Sequence, residues 1–376
     1  MKKIVVIMDS FKDTIDVFDI IKIGKNAAKE VFGDENVPQF CPMADGGENT
    51  ACAISYILSA TDIKTTVYNV SMKEINATYC MDEDNNAYLD VASVVGFNSN
   101  KDDERKIKKA TSFGVGQLIK DAISKGAKKV FLGLGGSLTN DVACGALMAL
   151  GAKFYNNKEE EVLAIPQNFL DITKAVLPYN KEYEETELVC LCDVTNPLYG
   201  ENGATQIFSR QKGASEQDVL ELEQSVIHIS KILQKVKKLN PNDPGMGAAG
   251  GMKYGLNAIF NVDTQSGAKF LLELIDFYNI VDQNTIVITG EGRLDSQSFQ
   301  GKVIGTIADE AKKAGAMVYT IVGTTKLSEE ELKQFNIDKC WKLNDVQLPI
   351  DVIRAHAKDE LYNAFLSAFE YAKNDI

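Results

Sequence analysis

The sequence contains only two histidines, His228 and His356, and both fall on predicted helices away from any glycine-rich loop. It also has no G-x-S-x-G motif. A hydrolase of the triad type places its nucleophilic serine in such a motif and activates it with a histidine. The shortage of histidine therefore weighs against triad chemistry, and each histidine is interpreted as an ordinary residue on a helix face.

Positive charge is scarce relative to negative charge: 40 Lys and Arg against 53 Asp and Glu give a formal net charge of -13 over 376 residues. A wide nucleic-acid footprint needs a basic face, and adhesion to an anionic membrane needs basic clusters. We expect neither nucleic acid nor a membrane as a partner. A protein this acidic binds anions through local devices, such as helix N-termini, a few Lys and Arg, or a bound metal.

Long apolar runs and paired cysteines are lacking too. No apolar stretch is long enough to span a bilayer, and the first apolar run, residues 4–8, is too short for a signal peptide. The seven cysteines have neither an even count nor a metal-binding spacing, which favours free thiols in the reducing cytoplasm. They are Cys41, Cys52, Cys80, Cys144, Cys190, Cys192 and Cys340.

Standard nucleotide-binding motifs are absent from the sequence. There is no G-x-x-x-x-G-K-[ST] motif, and the Gly301-Lys302 pair is followed by Val303, which offers no hydroxyl for magnesium. One G-x-G-x-x-G occurs at residues 245–250, but a loop precedes it where the dinucleotide fingerprint requires a strand. A dehydrogenase site is therefore rejected, and the segment is interpreted as a hinge or as the close-packed start of a helix.

Short apolar runs do alternate with amphipathic helical patterns along much of the chain. The predicted strands are residues 4–8, 37–43, 130–134, 285–289 and 318–322. This alternation predicts a parallel sheet covered on both faces.

Two regions break the rhythm. Residues 67–91 alternate apolar and polar side chains and predict an antiparallel hairpin, and residues 151–255 include a long helix that starts at a capping box, Ser215 with Asp218. We therefore expect an α/β fold, with a doubly wound parallel-sheet, Rossmann-like domain and an inserted second domain of mixed α/β structure that acts as a lid. The predicted boundaries are 1–65, 105–150 and 265–376 for the first domain, and 66–104 and 151–264 for the second.

Glycine- and aspartate-rich segments directly follow the predicted strands. They are Asp9-Ser10-Phe11-Lys12, Asp45-Gly46-Gly47-Glu48, Gly135-Gly136-Ser137-Leu138-Thr139-Asn140-Asp141, Gly290-Glu291-Gly292-Arg293 and Gly323-Thr324-Thr325. In open α/β sheets, ligands bind at the carboxyl ends of parallel strands, where such segments meet. Because glycine lets backbone N–H groups approach a phosphate closely, the composition favours a phosphate ligand. Taken alone, the third segment is equally well explained as a tight turn with a helix cap.

Ionisable side chains accumulate in the same segments. Phosphoryl transfer needs carboxylates to hold magnesium and orient the attacking hydroxyl, and cations to clamp the transferring oxygens. The acids are Asp9, Asp45, Asp141, Asp193, Glu291 and Asp295, and the cations are Lys12, Lys212, Arg293 and Lys302. Any one of these charges is explained by a solvated loop, but their joint position at strand ends favours a functional site.

These segments resemble, in order and over nearly the whole chain, the motifs of the bacterial glycerate kinases of the two-domain type. The matches are D-S-F-K at 9–12, P-M-A-D-G-G-E at 42–48, T-S-F-G-V-G at 111–116, G-L-G-G-S-L-T-N-D at 133–141, C-D-V-T-N-P-L at 192–198, Q-K-G-A at 211–214, G-M-G-A-A-G-G at 245–251 and T-G-E-G-R-L-D at 289–295. The departures are Met8 for a proline, Asn49 for a glycine, Val142-Ala143 for a glycine pair and Val303-Ile304 for Ala-Pro. None removes a charged or hydroxyl group, so we expect the chemistry to be kept.

The resemblance implies a kinase that uses ATP and Mg²⁺ to phosphorylate D-glycerate in a cleft, with 2-phosphoglycerate expected over 3-phosphoglycerate as product. Within that site, we assign the ATP phosphates to Gly135, Gly136, Ser137, Thr139, Asn140, Gly290, Glu291, Gly292 and Lys302. The glycerate carboxylate is assigned to Ser10, Lys12 and Arg293, and Lys12 is also expected to act in catalysis. Asp45, Asp193 and Asp295 are expected to share metal binding and orientation of the hydroxyl. The rival interpretation is a non-catalytic sensor of a phosphorylated acid, which could dispense with these carboxylates.

Overall fold

The computed structural model describes residues 2–11, 14–96, 106–299, 303–344 and 349–374. The predicted site residues Lys12 and Lys302 lie outside the described residues. The strands are β1 (Lys3–Met8), β2 (Gln39–Pro42), β3 (Thr61–Tyr68), β4 (Glu74–Met81), β5 (Asn86–Asp90), β6 (Lys129–Gly133), β7 (Lys153–Tyr155), β8 (Lys174–Val176), β9 (Glu187–Leu191), β10 (Asn261–Gln265), β11 (Thr285–Leu294), β12 (Met317–Thr325) and β13 (Lys339–Lys342).

The helices are α1 (Val17–Phe32), α2 (Thr50–Leu58), α3 (Ala92–Val95), α4 (Phe113–Ser124), α5 (Cys144–Ala149), α6 (Lys181–Glu185), α7 (Ala204–Phe208), α8 (Glu216–Gln234), α9 (Ala248–Leu256), α10 (Gly267–Leu274), α11 (Phe277–Ile280), α12 (Val303–Lys313), α13 (Glu329–Gln334) and α14 (Ile350–Asn374). Short 3-10 helices occupy Asp34–Asn36, Pro166–Asp171, Arg210–Lys212 and Ser296–Phe299. No helix formed by the described residues is both long and apolar enough to cross a membrane.

The chain divides into two compact units. Unit 1 comprises Met1–Asp45 and Ala268–Ile376, and unit 2 comprises Gly46–Gly267. The predicted domain boundaries were wrong, because residues 46–65 and 105–150 belong to unit 2 instead of the Rossmann-like domain. The cause is β6, which has the same buried-strand pattern as the strands of unit 1 but pairs with β5 and β9. The apolar pattern identifies a strand without identifying its partners.

Within unit 1, the described strands form an all-parallel sheet in the order β13-β12-β11-β1-β2. Alternate residues of β1, Ile4, Val6 and Met8, lie in a core with side chains of α1 and α14, and the residues between them are also buried. A strand covered on both faces must be apolar throughout, which explains the unbroken apolar run near the start of the sequence. The parallel-sheet prediction is confirmed here.

Helix α1 illustrates how local sequence signals fix the elements of unit 1. The carboxylate of Asp16 accepts hydrogen bonds from the backbone N–H groups of Phe18 and Asp19, which caps the first turn. Helix α1 ends at Gly33, whose φ of 80° is accessible to glycine at little cost. Residues next to the helix ends therefore determine both where α1 begins and where it ends.

Unit 2 contains a mixed sheet, whose described strands have the order β10-β9-β6-β5-β4-β3. The pairs from β10 to β5 are parallel, whereas β3, β4 and β5 are antiparallel, which confirms the predicted hairpin. The long helix α8 begins at the predicted capping box, in which Ser215 and Asp218 exchange side-chain to backbone hydrogen bonds of 3.0 and 3.2 Å. The predicted combination of a parallel-sheet unit with a mixed α/β unit is confirmed.

Candidate active site

The carboxyl edge of the unit 1 sheet carries the predicted acceptor-binding residues. Residue Met8 of β1 lies in register with Pro42 of β2 and with Gly290 of β11, so these neighbouring strands end at the same edge. Asp9 and Ser10 follow β1 directly. The buried Asp9 carboxylate accepts the Ser10 backbone N–H at 2.6 Å and the Ser10 hydroxyl at 3.3 Å, which fixes the serine at this edge.

The predicted glycine turn after β11 is instead part of that strand. Gly290 pairs with Ile321 of β12, and a Cβ at Gly290 would lie 2.1 Å from the Ile321 carbonyl oxygen and 2.4 Å from a methionine methyl group of β1. Close packing between strands therefore accounts for this glycine without any ligand. The role of Gly290, Glu291 and Gly292 in phosphate binding stays a prediction.

Two charged residues terminate β11. The Nε of Arg293 lies 3.5 Å from Oδ2 of Asp295, and their side chains are 72% and 38% exposed. An ion pair this open is worth little to stability and leaves the guanidinium available to a carboxylate or phosphate. Asp45 follows β2 and is half-buried. The sheet thus brings Ser10, Asp45, Arg293 and Asp295 to a single edge, as the sequence predicts.

The predicted phosphate loop follows β6 in unit 2. The backbone N–H of Gly135 donates to the carbonyl of Gly46 at 3.0 Å, and a Cβ at Gly135 would approach Gly47 Cα to 2.6 Å. A Cβ at Gly46 would in turn lie 3.0 Å from the Leu191 carbonyl oxygen, and Gly46 has a φ of 78°. The glycines of two separate motifs are therefore required for their backbones to touch. Gly136, the next residue, is exposed at the surface of this loop.

A buried lysine lies beneath the same loop. The ammonium group of Lys212 donates to the Thr139 carbonyl at 2.7 Å and to the Ser137 hydroxyl at 3.3 Å. Burial lowers the pKa of Lys212 from 10.5 to about 8, against the opposing effect of the Asp141 charge. Among the described residues, its third N–H has no hydrogen-bond partner. The sequence identifies Lys212 as a candidate cation, but the assignment of roles gave it none, although the Q-K-G-A match at 211–214 was the available signal.

Polar contacts hold the rest of the loop in place. The fully buried Asp141 accepts hydrogen bonds from the Ser112 backbone N–H, the Ser112 hydroxyl and the Gly145 N–H at 2.7, 2.8 and 3.2 Å. Burial raises the pKa of Asp141, and these three donors oppose the rise. The predicted nucleotide ligand Asn140 instead donates its amide to Thr205 at 3.0 Å. These contacts give Asn140 and Asp141 a structural role in shaping the loop.

Two polar atoms in this loop are buried and lack a hydrogen-bond partner among the described residues. Within the described part of the chain, the hydroxyl oxygen of Thr139 has no hydrogen-bond partner, and neither does Oδ1 of Asp141. Buried polar groups nearly always have a protein or solvent partner. The Thr139 hydroxyl and the third N–H of Lys212 are thus two unused donors on residues that contact each other through the Thr139 carbonyl.

The loop after β6 ends in two residues with left-handed backbone conformation, Val142 and Ala143. Val142 and Ala143, which replace the family's glycine pair, have φ values of 52° and 55°. The Val142 N–H donates to the Gly250 carbonyl at 3.0 Å, and a Cβ at Gly250 would meet the Thr139 carbonyl oxygen at 2.2 Å. Residues 245–251 are therefore packed inside unit 2 and lie away from the unit boundaries. The hinge interpretation was wrong, and the close-packed helix start is confirmed.

The predicted metal set is divided between the units. Asp193 follows β9 in unit 2, whereas Asp45 and Asp295 belong to unit 1. No group of three or more His, Cys, Asp or Glu among the described residues is arranged to hold a metal. Magnesium commonly keeps several waters and takes one or two carboxylates together with substrate phosphates, so these oxygen donors suit it without a preformed cage. The assignment stays a prediction.

Comparison with known proteins agrees with the motif pattern. The model of the glycerate kinase family matches residues 4–372. The glycerate 2-kinase of Escherichia coli (strain K12) is 33% identical over 91% of this chain and 90% of its own length. The glycerate kinase of Bacillus subtilis (strain 168) is 30% identical over 95% of this chain and 94% of its own.

A solved structure agrees as well. A protein of Salmonella typhimurium LT2 described as glycerate kinase 2 superposes with a TM-score of 0.83 at 26% identity, covering 99% of this chain and 98% of that one. The chain is therefore an enzyme that belongs to the glycerate kinase family.

Proposed function

We propose that the protein transfers the γ-phosphoryl group of ATP to a hydroxyl of D-glycerate, and that the product is 2-phosphoglycerate. Glycerate as acceptor rests on membership of the glycerate kinase family. The 2-position is supported by the name of the Escherichia coli relative. ATP as the phosphoryl donor is supported by the glycine loop after β6, beneath which the Lys212 ammonium is buried.

In this proposal the phosphates of ATP lie over Gly135, Gly136 and Ser137. Small residues allow the backbone to approach the phosphate oxygens, and the unused donors of Thr139 and Lys212 add positive potential. Lys212 acts as a positioning residue, because its two hydrogen bonds hold the loop from below. A charge in a dry site is screened far less than one at the surface, so a single buried ammonium has a large effect on a triphosphate.

The glycerate carboxylate pairs with Arg293 in unit 1. The Ser10 hydroxyl, which donates to Asp9 at 3.3 Å in the structure, would turn to donate to the same acid. The planar guanidinium offers two parallel N–H groups, which match the two oxygens of a carboxylate. Lys12 is assigned to the same carboxylate from the sequence. Transfer then requires the acceptor hydroxyl of glycerate to attack the γ-phosphorus in line.

The aspartates divide the remaining work. The carboxylates of Asp45, Asp193 and Asp295 are the candidates for holding Mg²⁺ and for orienting the acceptor hydroxyl. As the new P–O bond forms, one of them would accept the hydroxyl proton, while the bond from the γ-phosphorus to ADP breaks and ADP leaves. When bound, Mg²⁺ neutralises charge on the phosphate oxygens. We further propose that the enzyme works in the cytoplasm, where its seven cysteines, all free in the structure, would stay reduced.

A coupled assay tests the proposal. Purified protein is mixed with ATP, Mg²⁺ and D-glycerate, ADP release is followed, and the phosphorylated carbon is identified by phosphorus NMR. We expect ADP formation that depends on D-glycerate and a signal for 2-phosphoglycerate. A protein that binds phosphoglycerate tightly but releases no ADP with any small hydroxy acid would instead be a sensor.

A further inference from the structure

A cavity of about 580 Å³ runs along β10 and reaches the carboxyl end of β9 in unit 2. Its walls come from the loop after β9, the segment before α9, and β10 itself; they include Cys192, Asp193, Met246, Lys253 and Thr264. Ligand pockets of enzymes typically measure about 300–1,000 Å³, so the cavity is large enough for a cofactor-sized molecule. Glycerate, a three-carbon acid, would leave most of it empty.

The charges in the cavity argue against a phosphate group as its occupant. Asp193 and Asp243 contribute two carboxylates and Lys253 one ammonium, so the charged lining is net negative. The ammonium of Lys253 already donates to the Pro244 carbonyl at 2.9 Å. The same negative lining would repel the carboxylate of glycerate.

The neutral part of the lining suits a polar ring system. Val194, which is 40% exposed, supplies apolar surface beside the mostly buried Met246 and Val262. Asn257 and Thr264 supply amide and hydroxyl groups that can both donate and accept. An apolar wall with a few neutral hydrogen-bonding groups is the usual environment of a bound base and sugar. A carboxylate also accepts hydrogen bonds from ribose hydroxyls in α/β nucleotide sites, a role open to Asp243, since Asp193 is assigned to the metal and the acceptor hydroxyl.

The position of the cavity links it to the phosphate loop. Strand β9 lies between β10 and β6 in the sheet, so the cavity and the loop at Gly135 open on the same edge, about two strand spacings or 10 Å apart. Asp193 follows the strand between them. We propose that this cavity binds the purine nucleoside of ATP, with the triphosphate extending across β9 towards Gly135 and Ser137. This inference rests on the proposed function, and it identifies the part of unit 2 that selects the nucleotide.

Photolabelling with 8-azido-ATP tests the location directly. The full-length protein is irradiated with the probe and Mg²⁺, and the labelled peptides are identified by mass spectrometry. We expect label within residues 243–266 or 192–195, and excess ATP should suppress it. Competed label confined to unit 1, or to peptides of unit 2 outside these two segments, would overturn the proposal.

A substitution that fills the cavity provides the second test. Thr264 lies on β10 with an exposed side chain, so Thr264→Trp should block the cavity without disturbing the core. We expect at least a tenfold rise in the KM for ATP and in the calorimetric Kd for ADP, with less than a twofold change in the KM for D-glycerate. Thr61→Trp, at the exposed start of β3 on the opposite edge of the sheet, is the matched control and should leave all three constants unchanged.

The outcomes separate this proposal from the proposed function. If Thr264→Trp folds, as judged by circular dichroism, and keeps wild-type constants for ATP and ADP, the nucleoside lies elsewhere even though the enzyme is an ATP-dependent kinase. If the wild-type protein neither binds ADP nor forms phosphoglycerate, the proposed function itself fails. An increased KM for D-glycerate alone would place the acceptor in the cavity and contradict the proposal.

Discussion

Units 1 and 2 use parallel strands in the same way but support their functional residues very differently. At the sheet edge of unit 1, the side chains of Arg293 and Asp295 form an ion pair that is open to solvent. In unit 2, the loop after β6 is held by buried donors and acceptors, with Lys212 and Asp141 almost fully removed from solvent. An exposed edge suits the capture of a small acid, whereas a buried network fixes the shape of a phosphate-binding loop.

The two units should differ most in the stability that they lose when one carboxylate is removed from each. Asp141→Ala leaves three buried donors on Ser112 and Gly145 without an acceptor, so we expect unit 2 to lose more than about 3 kcal/mol of stability. Asp295→Ala removes an exposed ion pair and should cost less than about 1 kcal/mol. Urea unfolding followed by circular dichroism measures both. Equal losses for the two variants would contradict the contrast between the units.

Two helical glycines sharpen the comparison. A Cβ at Gly255 would lie 1.9 Å from the Val142 carbonyl oxygen, which cannot move without moving the strained loop. A Cβ at Gly24 would meet the Phe40 ring at 2.4 Å, and a side chain can rotate away. We expect Gly255→Ala to destabilise unit 2 by about 1–3 kcal/mol or more, and Gly24→Ala to have a smaller effect on unit 1.

Fluorescence assigns these effects to a unit. The only tryptophan of the sequence, Trp341, lies on β13 in unit 1, so its emission reports the unfolding of that unit. Gly24→Ala should shift the unfolding transition seen by Trp341 fluorescence, which reports unit 1. Gly255→Ala should shift the part of the circular dichroism transition that fluorescence does not report, which belongs to unit 2. A larger shift for Gly24→Ala would mean that the aromatic core of unit 1 is the more rigid of the two.

The lowered pKa of Lys212 gives unit 2 a pH dependence in the alkaline range. Since the protonated ammonium holds the loop, kcat/KM for ATP should fall about tenfold per pH unit above pH 8. Lys212→Arg should move that loss to higher pH, because arginine stays protonated. An unchanged alkaline limb in Lys212→Arg would show that another group titrates.

Whereas kcat/KM for ATP should fall as the pH rises above 8, the free energy of unfolding should increase over the same pH range. The folded-state pKa of Lys212, about 8, lies below the unfolded value of 10.5. Between these values the unfolded chain binds a proton that the folded chain does not, so the free energy of unfolding rises with pH across this window. Lys212→Met removes the dependence, and urea midpoints measured at pH 8 and pH 10 would reveal it.

The smallest contrast concerns two helix ends. Helix α1 ends at Gly33, whose φ is 80°, and α2 ends at Ser59, whose φ is 53°. Nothing lies within 4 Å of a Cβ built at Gly33, so Gly33→Ala tests the backbone conformation alone. Gly33 has a ψ of 168°, a combination that is essentially confined to glycine, so we expect Gly33→Ala to lower stability by about 1 kcal/mol or more in thermal melts. Ser59 is in the left-handed region, so Ser59→Gly should raise stability by about 1 kcal/mol. A stabilising Gly33→Ala would contradict this account of the helix ends.

The elements of unit 1 were predictable because each is encoded locally. The cap at Asp16, the apolar run of β1 and the glycine and aspartate segments after its strands all come from neighbouring residues. The ends of β1, β2 and β11 could be expected to meet because parallel strands share an edge. The extension of β11 through Gly290 was missed, because glycine and arginine are typical of a turn unless a neighbouring strand pairs with them.

Unit 2 was less predictable because non-local contacts define it. The sequence around β6 does not determine that this strand pairs with β5 and β9, and the predicted domain boundary was therefore misplaced. The left-handed backbone at Val142 and Ala143 was hidden too, since these residues rarely adopt it. The family's glycine pair was a signal of that conformation. The position of Lys212 beneath a loop more than seventy residues away in sequence follows from tertiary structure alone.

Steady-state kinetics of one variant from each unit tests the central claim most directly. Lys212→Met and Arg293→Met are compared with wild type while ATP and D-glycerate are varied in turn. We predict that Lys212→Met lowers kcat/KM for ATP by about 10²- to 10³-fold with little change in the KM for D-glycerate. Arg293→Met should raise the KM for D-glycerate and leave that for ATP unchanged. The reverse pattern, or equal effects of both variants on both substrates, would contradict the assignment of nucleotide to unit 2 and acceptor to unit 1.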